Sequence, residues 1–92
     1  MKLHLKGFLL QELARLDVGW DTRLVGAALD TYGLSGLHWC NTLHIALDEL
    51  SSAGLIERLE ARLEDGLLQF CYRITAFGRT RIADTGLDQE AA

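Results

Sequence analysis

Three groups of residues in this chain have types and spacings that could do chemistry. Cys40 and His44 are four apart, so on a helix they share a face and could hold one metal ion, with His38 and Cys71 to complete the set. The same pair has the residue types of a thiol nucleophile and its base. Asn41, Thr42 and Ile45, with His38 before them, form a second group. An asparagine amide matches the edge of adenine, a threonine hydroxyl reaches base or phosphate, and an isoleucine can touch a thymine methyl; His38 adds a donor. Arg58, Arg62 and Arg73, with Arg23 upstream, form the third group, suited to phosphate.

The first chemistry lacks the rest of its machinery. The chain has no Cys-x-x-Cys pair and no carboxylate–histidine cluster, and its glycines fall at the ends of elements rather than in a phosphate-cradling loop. The expectation is a protein that is not an enzyme and carries no metal or other cofactor. Cys40 and His44 then read as a small thiol and a surface imidazole.

The elements that position these groups follow from periodicity. Phe8, Leu9, Leu13 and Leu16 have helical spacing over Gly7–Leu16, and Asp17-Val18-Gly19 ends that helix. Asp21 or Thr22 caps a second helix with the stripe Val25, Ala28, Leu29, Tyr32, and Gly33 stops it. Ser35 caps a third helix after a turn short enough for a crossing helix pair. That helix runs from about Leu37 to Ala53, with Trp39, Leu43, Ala46, Leu47 and Leu50 inward. His38, Asn41, Thr42, Ile45, Asp48 and Glu49 lie on its other face. Trp20 is expected to pack against the start of the second helix.

After Gly54 the period becomes alternating. Asp65-Gly66 supplies a two-residue hairpin turn between strands at 57–63 and 68–74. Counting outward from that turn pairs Glu64 with Leu67, Arg62 with Gln69, Glu60 with Cys71 and Arg58 with Arg73. The last pair is a like-charge opposition that a bound phosphate would relieve. Thr75 caps a final helix, with Phe77 and Ile82 inward.

Ninety-two residues make about one domain, expected over 1–86, with 87–92 a polar, disordered tail. Hydrophobic residues at 49% and charged residues at 24% exclude a disordered chain. No apolar run is long enough to cross a membrane, and the N-terminus lacks the apolar core of a secretory signal. Two cysteines fit a cytoplasmic protein with free thiols. A net charge of −4 argues against coating nucleic acid by bulk charge, so binding would need a local basic patch.

Helix, helix, helix, hairpin, helix is the order of an α+β, mainly α, winged helix-turn-helix: a three-helix core with a two-stranded β-wing and a C-terminal helix. The run Leu47-Asp48-Glu49-Leu50-Ser51-Ser52-Ala53-Gly54-Leu55-Ile56-Glu57 resembles the end of the recognition helix in the MarR, PadR and ArsR groups of bacterial regulators. Tyr72-Arg73-Ile74-Thr75-Ala76-Phe77-Gly78-Arg79 resembles the wing exit of the same groups. Tyr32-Gly33-Leu34-Ser35 together with Ile82-Ala83-Asp84-Thr85-Gly86 resembles small winged-helix proteins of Mu-like prophages. The resemblance implies a DNA-binding transcriptional regulator, bacterial or phage, acting on double-stranded DNA. His38, Asn41, Thr42 and Ile45 would then enter the major groove, and Arg23, Arg58, Arg62 and Arg73 would contact backbone. It also implies a homodimer, with the first and last helices as the seam. The alternative is a winged-helix module that binds a host or phage protein and no DNA. The acidic balance and a third helix without Lys or Arg from Ser35 to Ser51 favour that alternative.

Overall fold

The computed structural model describes residues 4–85, so the boundary expected at 86 and the tail 87–92 lie outside the described residues. The elements are α1 (Leu5–Leu16), β1 (Val18–Trp20), α2 (Asp21–Tyr32), α3 (Leu37–Ser52), β2 (Ile56–Glu64), β3 (Leu67–Ile74) and α4 (Ala76–Thr85). The three strands form one antiparallel sheet in the order β1-β3-β2.

The helical stripes converge on one core. Leu9, Leu10 and Leu13 of α1 meet Leu24, Val25 and Ala28 of α2 and Leu43, Ala46, Leu47 and Leu50 of α3. Ile56, Tyr72 and Ile74 close it from the sheet, and Ile82 closes it from α4. Gly33 takes the left-handed conformation, φ 65°, that lets Leu34 N–H reach back to the Leu29 carbonyl at 2.9 Å and stop α2. The junction to α3 differs from expectation. Gly36, not Ser35, occupies the N-cap, with no side-chain cap.

The chain between α1 and α2 does more than end a helix. Val18, Gly19 and Trp20 pair with Arg73, Tyr72 and Cys71, adding a third strand to the expected two-stranded wing. Three residues around a glycine carry no alternation, so only the pairing reveals them. This also removes Asp21 and Thr22 as caps: Trp20 is the N-cap, and Asp21, in the first turn, is 1% exposed.

The hairpin register holds from Glu64↔Leu67 to Glu60↔Cys71, then slips at a bulge. Leu59 is the extra residue, so Arg58 opposes Tyr72 and Glu57 opposes Arg73. The expected Arg58–Arg73 opposition does not exist, and Arg73 instead forms an ion pair with Glu57. Counting out from the turn cannot see a one-residue insertion.

Two further side chains depart from expectation. Phe77 is exposed while Ile82 is buried, and Trp39 is half-buried at the rim, edge-on to His38, rather than in the core.

Thr75 does cap α4, and its hydroxyl ties the two motif regions together. It accepts from Gly78 N–H at 2.9 Å and lies 2.7 Å from the Gly54 carbonyl and 3.0 Å from that of Leu55. Thr75 N–H donates to the Leu55 carbonyl at 3.1 Å.

Candidate nucleic-acid interface

The α2–turn–α3 pair places α3 as the outer helix, with its apolar stripe on the core and its opposite stripe in solvent. His38, Asn41 and Ile45 are exposed on that stripe, Ile45 at 57%. No hydrogen bond or ion pair among the described residues engages the Asn41 amide, which leaves both its donor and its acceptor open. Thr42 is different: its hydroxyl donates to the His38 carbonyl at 2.9 Å and is half-buried. Thr42 and Ile45 also line a groove of about 230 Å³ shared with His4, Leu5 and Lys6 at the start of α1. Thr42 and Ile45 therefore share a surface with the start of α1, while Asn41 and His38 do not line that groove.

The arginines are held by specific partners. Arg58 lies over the Phe70 ring at 3.8 Å, donates to the Tyr72 hydroxyl at 3.3 Å and pairs with Asp48 of α3 at 3.1 Å. The Tyr72 hydrogen bond, helped by Asp48 and Asp21, raises the guanidinium above its ordinary value. Arg58 thus bridges wing and α3 and is fixed by stacking on its apolar side. Arg62 donates to Gln69 at 2.9 Å, pairs with Glu64 at 3.2 Å and covers the Trp20 ring at 4.0 Å. Trp20, expected to staple α2, serves as this platform on the outer sheet face. Lys6 is paired with Glu49 at 3.1 Å. Arg23, exposed near the start of α2, has no hydrogen bond or ion pair among the described residues.

The pairings matter for binding. The two acids of α3, Asp48 and Glu49, sit on the cations that flank the helix. A phosphate reaching Arg58 must compete with Asp48, so each contact there is an exchange of anions rather than a simple gain.

The two nitrogens of His44 are both turned to oxygens of the fold. His44 Nδ1 is 2.8 Å from the carbonyl of Cys40 itself, and its Nε2 is 3.5 Å from the buried Asp21 Oδ2. Cys71 lies in β3, where burial pushes its thiol above the usual range. Among the described residues no three His, Cys, Asp or Glu side chains gather into a metal-holding group. The sequence reading missed Asp21 as a buried carboxylate. Nothing in the helical spacing marks it, because an aspartate at a helix start reads as an exposed cap.

No family model matches the chain, and no curated protein matches it. Solved structures share the fold, two of them as follows. One is TA0346 of Thermoplasma acidophilum, provisionally assigned as a transcriptional regulator: 20% identity, TM-score 0.70, covering 87% of this chain and 72% of the other. The second is a PadR family transcriptional regulator from Eggerthella lenta: 21% identity, TM-score 0.63, covering 90% of this chain and 71% of the other. At that identity the likeness defines a winged helix-turn-helix fold. Among the described residues no helix is long and apolar enough to cross a membrane.

Proposed function

We propose that this protein is a winged-helix regulator that binds double-stranded DNA in the cytoplasm of a bacterium or from a phage genome. The observation that supports this most is the outer stripe of α3. Asn41 offers an unengaged amide on an exposed helix, with His38 before it and Ile45 one turn on. N-terminal residues of such a helix are the ones that reach base edges in the major groove. Arg23 and, by exchange with Asp48, Arg58 supply backbone contacts, while Arg62 reaches from the wing. Arg73, tied to Glu57, contributes least. The likeness to two regulators supports the same reading.

The test is selection from a random duplex library, followed by titration at low and moderate salt. Enrichment of a motif, with affinity falling as salt rises, is expected. Failure of every duplex to bind at about 50 mM salt and micromolar protein overturns the reading, because non-specific affinity is already visible there.

The ion pairing of Lys6, Arg58, Arg62 and Arg73 favours a second reading, a protein-binding module without DNA. On that reading Ile45 sits in a desolvated contact, and Ile45→Asp abolishes a partner that the arginine variants leave intact.

A further inference from the structure

We infer that Asp21 and His44 form a one-proton latch between α2 and α3, closed while the pair holds a proton taken from solvent and released when that proton leaves. The reason lies in donors and acceptors. His44 Nδ1 is 2.8 Å from the carbonyl oxygen of Cys40. A carbonyl has no hydrogen to give, so Nδ1 is the donor and carries its own. In a neutral ring this leaves Nε2 as a bare lone pair. Nε2 lies 3.5 Å from Asp21 Oδ2, a second acceptor. Two acceptors facing each other gain nothing. With a proton on Nε2, the same geometry is an imidazolium paired with a carboxylate.

The surroundings give the pair its leverage. Asp21 is buried in the first turn of α2, and its Oδ1 has no hydrogen-bond partner. A buried carboxylate so poorly met depends on whatever charge reaches its other oxygen. His44 is half-exposed, so its ring can take a proton from water and can turn away once the proton is lost. The other titratable and charged groups around the pair are occupied or neutral. On α3, Cys40 is one turn before His44 and Asp48 one turn after it. From the sheet, Arg58 of β2 is drawn towards Asp21 but donates to Asp48 and to the Tyr72 hydroxyl of β3. From α1, Lys6 is taken by Glu49.

The apolar contacts of Leu24, Val25 and Ala28 with Leu43, Ala46 and Leu47 hold the two helices together in either state. The proton sets how firmly the start of α2 is tied to α3. Asn41, one turn before His44, and Ile45, beside it, belong to the exposed stripe of the same helix. The latch therefore lies directly behind the surface that α3 offers to a partner. It does not depend on whether that partner is DNA.

The experiment has two readouts on the full chain. The first is NMR of the imidazole nitrogens across about pH 5 to 8, the span in which imidazoles change charge. The chain has three histidines, and the signals missing from His44→Gln assign its ring. Both nitrogens of His44 should carry hydrogen at the acid end, and Nδ1 alone should keep it at the alkaline end. A neutral ring that carries its hydrogen on Nε2 overturns the inference, because Nδ1 then cannot serve the Cys40 carbonyl. The second readout is Tm over the same span for wild type, Asp21→Asn and His44→Gln. Either amide brings a hydrogen of its own to the contact and needs no added proton. Wild type should lose several degrees relative to both variants as pH rises, and the two variants should run parallel to each other. Wild-type and variant curves that stay parallel overturn the inference. If a variant does not fold, the ring measurement on wild type decides alone.

Discussion

Replacing Gly78 by alanine sets helix propensity against packing. Alanine is the better helix former by about 1 kcal/mol, so local reasoning alone makes Gly78→Ala stabilising. The structure says otherwise. An added Cβ would lie well inside contact distance of the Leu55 carbonyl oxygen, 3.1 Å from the Leu55 carbonyl carbon and 2.9 Å from Ile74 Cγ1. That oxygen is backbone and cannot swing aside. It also accepts Thr75 N–H at 3.1 Å, with the Thr75 hydroxyl 3.0 Å away. Moving it weakens interactions worth about 1 kcal/mol each and adds overpacking of about 1–3 kcal/mol. Against the gain in propensity, the net loss is about 3 kcal/mol. For a domain of this size that is a fall in Tm of roughly 12–24 °C. Gly26→Ala is the control: nothing lies within 4 Å of its added Cβ, on an exposed face of α2. It should gain up to about 1 kcal/mol and raise Tm by several degrees. Thermal melts followed by circular dichroism measure both. A Gly78→Ala protein that melts at or above wild type refutes the packing argument.

Asp48→Asn should tighten DNA binding and steepen its salt dependence, because it frees Arg58 and removes a carboxylate beside the phosphates; gel shift at two salt concentrations measures both. Arg58→Ala with Arg62→Ala should weaken binding to all duplexes and flatten that dependence by about two ionic contacts. Asn41→Ala should instead relax preference at one base pair, at a cost of about 1–3 kcal/mol seen in competition binding. Of the two thiols, half-buried Cys40 should react with Ellman's reagent well before buried Cys71. Because burial holds the Cys71 pKa above that of the unfolded chain, its contribution to stability is complete below about pH 8.5 and is lost as pH rises above it. Cys71→Ala should make the alkaline arm of a Tm-against-pH curve shallower.

Periodicity made the helices legible. The stripes Leu9, Leu13 and Leu43, Leu47, Leu50 are buried where their spacing put them, and the Asp65-Gly66 turn sets the near half of the hairpin. What escaped is non-local. Val18–Trp20 becomes a strand only because Cys71–Arg73 lies beside it, fifty residues on, and three residues hold no period of their own. The bulge at Leu59 is likewise invisible to alternation, and it alone turned a repulsive Arg58–Arg73 pair into two separate attractive ones. At the site, exposure of His38, Asn41 and Ile45 followed from helical phase. The engagement of the arginines with Asp48, Glu64, Glu57 and the Trp20 ring did not, because long flexible side chains choose partners only once elements are placed. The threonine and glycine of the wing-exit motif gain a reason from the same placement: both serve the approach of a single carbonyl, that of Leu55.

The strand β1 joins α1 directly to α2, and it is hydrogen-bonded to the strand that carries the wing. The base of the wing is thereby splinted to the helix pair at the very joint where α2 begins. A tilt of one must drag the other, so the angle between α3 and the wing base is a rigid dimension of the molecule. Flexing is left to the stretch beyond Cys71, past the bulge, where no third strand braces the hairpin. Any surface that engages α3 and the wing base together must match that angle as it stands. Adaptation to differently shaped surfaces is confined to the leucine-bearing tip around Asp65-Gly66.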